Sequence, residues 1–328
     1  MNIIRIRIKF VIMQYFKNLR RFEPRVSFKL NKFIPTNNYS LTHYKGDNYR
    51  DMISFATNVQ QITLGALYCK FNNYNFYLKP HPYFIDFKIV NKKLDDSFSM
   101  FKKKYRFFYF DRAETNYYKR RDFFSNDEND FPIKESEKEK YIDNFHEFNK
   151  SFLYKKLSIK QNIEIDEDTL VIHCRTGNIF YGNWNNLYTQ NSLNYFLKIS
   201  QDYKKVILVT GKEHNNPIFE ILKKEKKFVF QSNSFIEDFN TLLNAKNLAT
   251  SGVTAFAMSA ALMSQKLKNF YHSDIYLKEH LNPEMLNNKE VNIHSYKILD
   301  YLRPGEFVKS EINLQKLLNT EVDKVIKI

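Results

Sequence analysis

The chain is predicted to be an α/β protein whose C-terminal half carries a doubly wound parallel sheet, and three observations lead there. The run 169–174, Thr-Leu-Val-Ile-His-Cys, is the kind of short continuous apolar stretch that forms a strand covered on both faces. Further short apolar runs recur at 205–210, 228–230, 247–250 and 269–271, with segments of helical pattern between them. Strands alternating with helices imply parallel pairing through crossover connections. Finally, 328 residues with 43% hydrophobic and 16% aromatic side chains can bury two cores, so two lobes are expected.

Taken in order, 1–22 comes first. Ile4, Ile6, Ile8 and Phe10 alternate with Arg5, Arg7 and Lys9, a period-two pattern with one apolar and one basic face. An edge strand or a floppy basic leader is the first reading; the aromatic and basic mixture that continues to Phe22 also suits a segment lying on an anionic membrane surface. Between 112 and 139 the charges crowd together, which predicts a solvated loop leading into an exposed helix. After the 169–174 strand a helix is expected over 192–203. Pro217 opens another, at the first-turn position where its missing N–H costs nothing. Ser234 and Glu237 have capping-box spacing at the head of a helix that runs to about 245, and 254–263 is the last expected helix. These limits divide the chain into an N-terminal lobe (1–160), a ligand-binding lobe (165–285) and a C-terminal extension (286–328).

Composition narrows the classes of function. The formal net charge is +15, yet the lysines are spread along the chain without a concentrated stripe. An anionic small ligand or peripheral contact with an anionic membrane is therefore expected, and a nucleic-acid partner is not. Cys69 and Cys174 form neither a disulfide framework nor a C-x-x-C metal spacing, which points to a reducing, cytoplasmic compartment. The apolar run nearest the start, residues 10–13, falls short of the roughly 7 residues of a signal-peptide core and of the roughly 18 needed to cross a bilayer.

In an open parallel sheet, ligands bind beyond the carboxyl ends of the strands. Two segments are expected there. Residues 173–178, His-Cys-Arg-Thr-Gly-Asn, leave their strand with a cation and a glycine, as a diphosphate requires for charge neutralisation and close backbone approach. Residues 251–256, Ser-Gly-Val-Thr-Ala-Phe, carry a strand into a helix through a small turn, so that free amides and the hydroxyls of Ser251 and Thr254 suit a phosphate. Asp166-Glu167-Asp168 has the letters of a metal-binding Asp-x-Asp, but it precedes its strand and is read as a solvated turn.

The segment 173–178 resembles the H-x-R-x-G-D signature of the fucosyltransferase superfamily, which comprises α1,2-, α1,6- and protein O-fucosyltransferases. Residues 237–248 with 251–256 look like that superfamily's acidic-then-Ser/Thr block. Residues 56–59, followed by Ala66-Leu67 and 75–80, are similar to its F-G-N stretch and Leu-x-x-Pro strand. Asn178 stands where the family has Asp, and Ala56-Thr57 where it has Phe-Gly.

The resemblance implies a GT-B-type fold of two Rossmann-like lobes. It also implies an inverting, metal-independent glycosyltransferase without a cofactor, moving a sugar from a nucleotide-sugar donor, with GDP-fucose favoured, to a glycan hydroxyl. It places Arg175 on the leaving diphosphate, Asn58 across the cleft, Asp238 on the nucleotide, and Thr254, Ala255 and Phe256 around a phosphate. His173, Gly177, Asn178 and Ser251 complete the expected donor site, with His173 read first as a satisfied core histidine because it stands at a strand end. Asp47, Asp51 and His81 are nearby candidates for the base, and none is singled out. The same fold with another nucleotide sugar, or a catalytically inactive glycan- or nucleotide-binding module, remains the alternative.

Overall fold

A computed structural model describes residues 38–41, 55–73, 75–78, 81–89, 106–108, 138–278 and 280–328. The basic leader, most of the charged stretch 112–139, and Asp47 and Asp51 lie outside the described residues. The chain divides into two compact units, Met1–Asp51 with Leu64–Arg120, and Met52–Thr63 with Arg121–Ile328.

The first unit contains a four-stranded sheet of β1 (Asn38–Leu41), β2 (Asn75–Leu78), β3 (Phe87–Ile89) and β4 (Arg106–Phe108), ordered β3-β2-β1-β4. The β1 strand pairs in parallel with β2 and β4, while β3 pairs antiparallel with β2. Helix α1 (Phe55–Phe71) begins in the second unit and ends in the first. Its Gly65 lets the helix approach β2 closely, because a Cβ there would meet the Phe76 ring at 3.0 Å.

The second unit is built on a seven-stranded sheet. Its strands are β5 (Thr169–Cys174), β6 (Lys205–Thr210), β7 (Phe228–Gln231), β8 (Asn247–Thr250), β9 (Asn269–Ser273), β10 (Asn292–Ile298) and β11 (Val325–Lys327). They are ordered β11-β10-β9-β8-β5-β6-β7, and only β10 with β11 is antiparallel. Leaving out β11, the parallel strands run third, second, first, fourth, fifth, sixth, the order of Rossmann-like domains, which reverses direction between β5 and β8.

Each strand expected in this half is present, close to its expected limits. The helices include α2 (Lys138–Glu147), α3 (Leu193–Ile199), α4 (Phe219–Leu222), α5 (Phe235–Leu243), α6 (Phe256–Met263) and α7 (Glu311–Asn319). The Ser234–Glu237 capping box opens α5 as its spacing predicts. Helix α3 is shorter than the expected 192–203: it stops at Ile199 because the chain turns at Ser200 to reach β6. Helix α2 is not merely an exposed continuation of the charged stretch, since Tyr141 and Phe145 are buried. The segment 286–328, set apart from its sequence as an extension, contributes β10, β11 and α7 to this unit.

Period-two alternation along β5 separates the two faces of the sheet. Leu170, Ile172 and Cys174 join one buried cluster with Leu193, Phe196, Phe219 and Leu317 from α3, α4 and α7. Val171 and His173 point to the opposite face, where α5 and α6 pack on one another and against β5. Both faces are therefore covered, which is why the strand sequences are continuously apolar. Among the described residues no helix is long and apolar enough to cross a membrane.

Candidate functional site

Because the connections diverge on either side of β5 and β8, a crevice is left at the carboxyl ends of these two strands. The two segments singled out in the sequence leave the sheet there, 173–178 from β5 and 251–256 from β8, and they are bonded to one another. The Ser251 hydroxyl accepts from the backbone N–H of Arg175 (3.4 Å) and donates to Gln190 Oε1 (2.9 Å). Thr254 Oγ1 lies 2.8 Å from His173 Nδ1.

The turn after β8 depends on Gly252. Its φ is +111°, and a Cβ would stand 2.4 Å from the carbonyl oxygen of Thr189. That carbonyl accepts from the Val253 N–H (3.0 Å), while the Asn191 N–H donates to the carbonyl of Ser251 (2.8 Å). Residues 188–191 thus form a strap across the turn. Tyr301 Oη pins it from the other side by donating to the carbonyl of Gln190 (2.9 Å). Thr189, Gln190 and Asn191 are polar and fully buried. A polar run without periodicity just ahead of a helix is the one trace they leave in the sequence.

Arg175 is half-buried, and its guanidinium stacks on Tyr188 with Cζ 4.2 Å from the ring centre. The aromatic face takes part of the place of a counter-ion. Among the described residues no carboxylate pairs with this guanidinium. Burial presses its pKa below the usual arginine range and the Tyr188 hydroxyl acts the other way; an arginine side chain nonetheless stays protonated in a protein. The result is a held, partly desolvated cation that, among the described residues, has no acidic partner.

His173 is the reverse. Burial, and secondarily the charge of Arg175, push its pKa down to about 3, so the ring is neutral at ordinary pH. With Nδ1 bonded to Thr254 and its ring edge-on to Phe256 (centroids 5.2 Å), it joins β5 to the start of α6.

Helix α6 begins with Ala255 at its N-cap and no side-chain cap, so its first-turn N–H groups are not satisfied by a side chain of the cap residue. Thr254 is almost fully buried, and Ala255 and Phe256 are half-buried. The Phe256 ring packs with Phe235 and Phe239 of α5, both at 5.6 Å, and Phe55 at the start of α1 packs on the same two rings at 5.4 and 4.6 Å. Asn58 follows one turn later in α1 and is half-buried.

Gly177 has φ +71° and is gripped by Asn215, whose Oδ1 accepts from its N–H (2.8 Å) and whose Nδ2 donates to its carbonyl (3.2 Å). Asn178 is exposed in the short 3₁₀ turn Gly177–Phe180. Asp238 sits in the first turn of α5, where its Oδ1 accepts from Gln231 Nε2 (2.9 Å) and the Asn233 N–H (3.2 Å). Burial raises its pKa against those two bonds.

The acidic letters 166–168 lie at the opposite edge of the sheet, where Glu167 pairs with Lys268 and Lys246, and Asp168 with Lys204. Among the described residues no three His, Cys, Asp or Glu side chains gather as a metal site. His81 belongs to the other unit, where its Nδ1 accepts from the Tyr83 N–H (3.2 Å).

The crevice therefore offers a held cation, uncapped helix amides and a buried hydroxyl, all at the switch point of a Rossmann-like sheet. Compared with protein-family models, with curated proteins and with solved structures, the chain has no match, so the reading of this site rests on its own chemistry.

Proposed function

We propose that the second unit is the donor-binding part of a GT-B-type glycosyltransferase, and that the crevice between β5 and β8 takes the diphosphate of a nucleotide sugar. One observation carries the reading: Arg175, stacked on Tyr188 with no acidic partner among the described residues, leaves β5 beside the turn that leads into the uncapped N-terminus of α6. A cation and helix amides on one crevice suit an anion that spans both. In the reaction, an acceptor hydroxyl oxygen attacks the anomeric carbon, the bond from that carbon to the β-phosphate oxygen breaks, and the nucleoside diphosphate departs. Its growing negative charge is met by Arg175 and the α6 amides, and a base takes the proton of the hydroxyl.

The favoured donor is GDP-fucose and the acceptor a glycan hydroxyl, because residues 173–178 and 251–256 carry the resemblance to the fucosyltransferase superfamily. Transfer is inverting and needs neither metal nor cofactor. Contact with an anionic membrane through the basic leader belongs to the same reading.

The test measures thermal stabilisation by GDP and UDP, then release of GDP from GDP-fucose with a glycan acceptor in the presence of excess EDTA. A ligand bound by the native state alone raises the melting temperature. Stabilisation by neither nucleotide would overturn the donor site. Loss of transfer in EDTA with recovery in Mn²⁺ would overturn metal independence, and binding without transfer would identify a binding module.

A further inference from the structure

The loop after β6 carries a carboxylate that the diphosphate reading leaves without a role. Asn215 holds both backbone groups of Gly177, and Asn216 Nδ2 donates to the carbonyl of Arg175 (3.1 Å). These bonds clamp 213–216 onto the turn that carries the cation, and they set Glu213 over that turn. A Cβ at Gly177 would meet the Glu213 carboxyl carbon at 3.2 Å, and one at Gly211 would meet Oε2 at 2.9 Å. Two glycines thus make room for one side chain. Among the described residues the Glu213 carboxylate forms no ion pair or hydrogen bond, and the residue is exposed.

A carboxylate has no place on a phosphate, because like charges repel. Its position instead matches the sugar next to the phosphates. In a Rossmann-like sheet the end of the second parallel strand lies beside the first strand-to-helix turn, where an acidic side chain accepts the ribose hydroxyls of a nucleotide whose phosphates rest on that turn. Here β6 is that second strand and 175–178 is that turn. An ionised carboxylate only accepts, and its two oxygens can take the two O–H groups of a cis-diol.

Resting on the reading that the crevice binds a nucleotide, we infer that Glu213 is a specificity-determining residue that accepts the ribose hydroxyls. The site then takes ribonucleoside diphosphates and discriminates against 2′-deoxyribonucleotides, including donors built on deoxythymidine diphosphate.

Calorimetric titration of the full chain with GDP and UDP, each against its 2′-deoxy counterpart, tests this. The wild type should bind at least one ribonucleotide about tenfold or more tightly than its deoxy form, the loss expected for a hydrogen bond to a charged acceptor. Glu213→Ala, at an exposed position, should lower affinity for that ribonucleotide by a larger factor than for its deoxy form, which loses only the bond from its 3′-hydroxyl, so that the variant binds the two forms about equally. Glu213→Gln should fall between. Equal affinities in the wild type, or a parallel loss of both forms in Glu213→Ala, would overturn the role of Glu213 while leaving the nucleotide site standing. Failure of all four nucleotides to bind would overturn both.

Discussion

His173 Nδ1 and Thr254 Oγ1 meet at 2.8 Å, and this contact ties the end of β5 to the head of α6 across the line where the sheet reverses its order. The ring is neutral because burial and the nearby Arg175 hold its pKa at about 3. A hydroxyl and a neutral imidazole can be bonded there without placing a second positive charge beside the guanidinium. The cation of the crevice is thus Arg175, and His173 fixes the geometry around it.

Acid stability follows from that neutrality. An unfolded histidine titrates near 6.5 and folded His173 near about 3, so between these values the unfolded chain binds the extra proton. The stability from the neutral ring is complete above about pH 6.5 and is lost as the pH falls towards 3, with a slope of at most about 1.4 kcal/mol per pH unit. His146, His272 and His294, whose pKa values are also lowered mainly by burial, add to the same trend. Urea unfolding of His173→Asn at pH 7, 6, 5 and 4 should show a shallower pH dependence than the wild type. An unchanged slope would place His173 in contact with water.

Arg175→Ala should lower nucleoside-diphosphate affinity and transfer by about tenfold or more, equivalent to roughly 1.4 kcal/mol. Arg175→Lys should recover only part of this, because an ammonium cannot reproduce the planar fork. Wild-type binding by a folded Arg175→Ala protein would remove the central piece of the proposed donor site.

Tyr188 supports the guanidinium through its ring face, so Tyr188→Phe and Tyr188→Leu should differ. The phenylalanine keeps the stack and should hold GDP affinity within about twofold, whereas the leucine should lose about fivefold or more, the roughly 1 kcal/mol or greater of a partly desolvated cation–π contact. Comparing dissociation constants in the same buffer separates the two. Equal losses in both would assign the role to the hydroxyl and not to the ring.

Gly252→Ala should destabilise the fold on the order of 2 kcal/mol or more, because φ is +111° and the new methyl would stand 2.4 Å from the Thr189 carbonyl. Chemical denaturation measures it. Stability equal to that of the wild type would mean that the strap 188–191 is not seated on the turn as described.

From the sequence alone, the local features of the sheet in the second unit could be read. Continuous apolar runs marked β5 and β6 because both of their faces are covered, and Ser234 with Glu237 marked the start of α5 because a capping box is complete within four residues. The candidate turns 173–178 and 251–256 were visible for the same reason, since a strand end followed by small and polar residues is a local pattern. By contrast, β10 is exposed or half-buried from Asn292 to Ser295 and buries only Tyr296 and Ile298, and β11 is short and antiparallel at the edge, so neither repeats the apolar signature of the central strands.

Only the tertiary structure decided the order of the strands, and with it that Arg175 and Thr254 leave the sheet on either side of one crevice. Nor does composition reveal that Tyr188 lies under Arg175, that residues 188–191 strap the turn at Gly252, or that Gly177 and Gly211 make room for Glu213. Gly211 and Glu213 apart, these contacts join separate segments of the chain, and short-range periodicity carries no record of which strand is the neighbour of which. That choice is made when the apolar faces of all the strands are buried together, and the chemistry of the crevice follows from it.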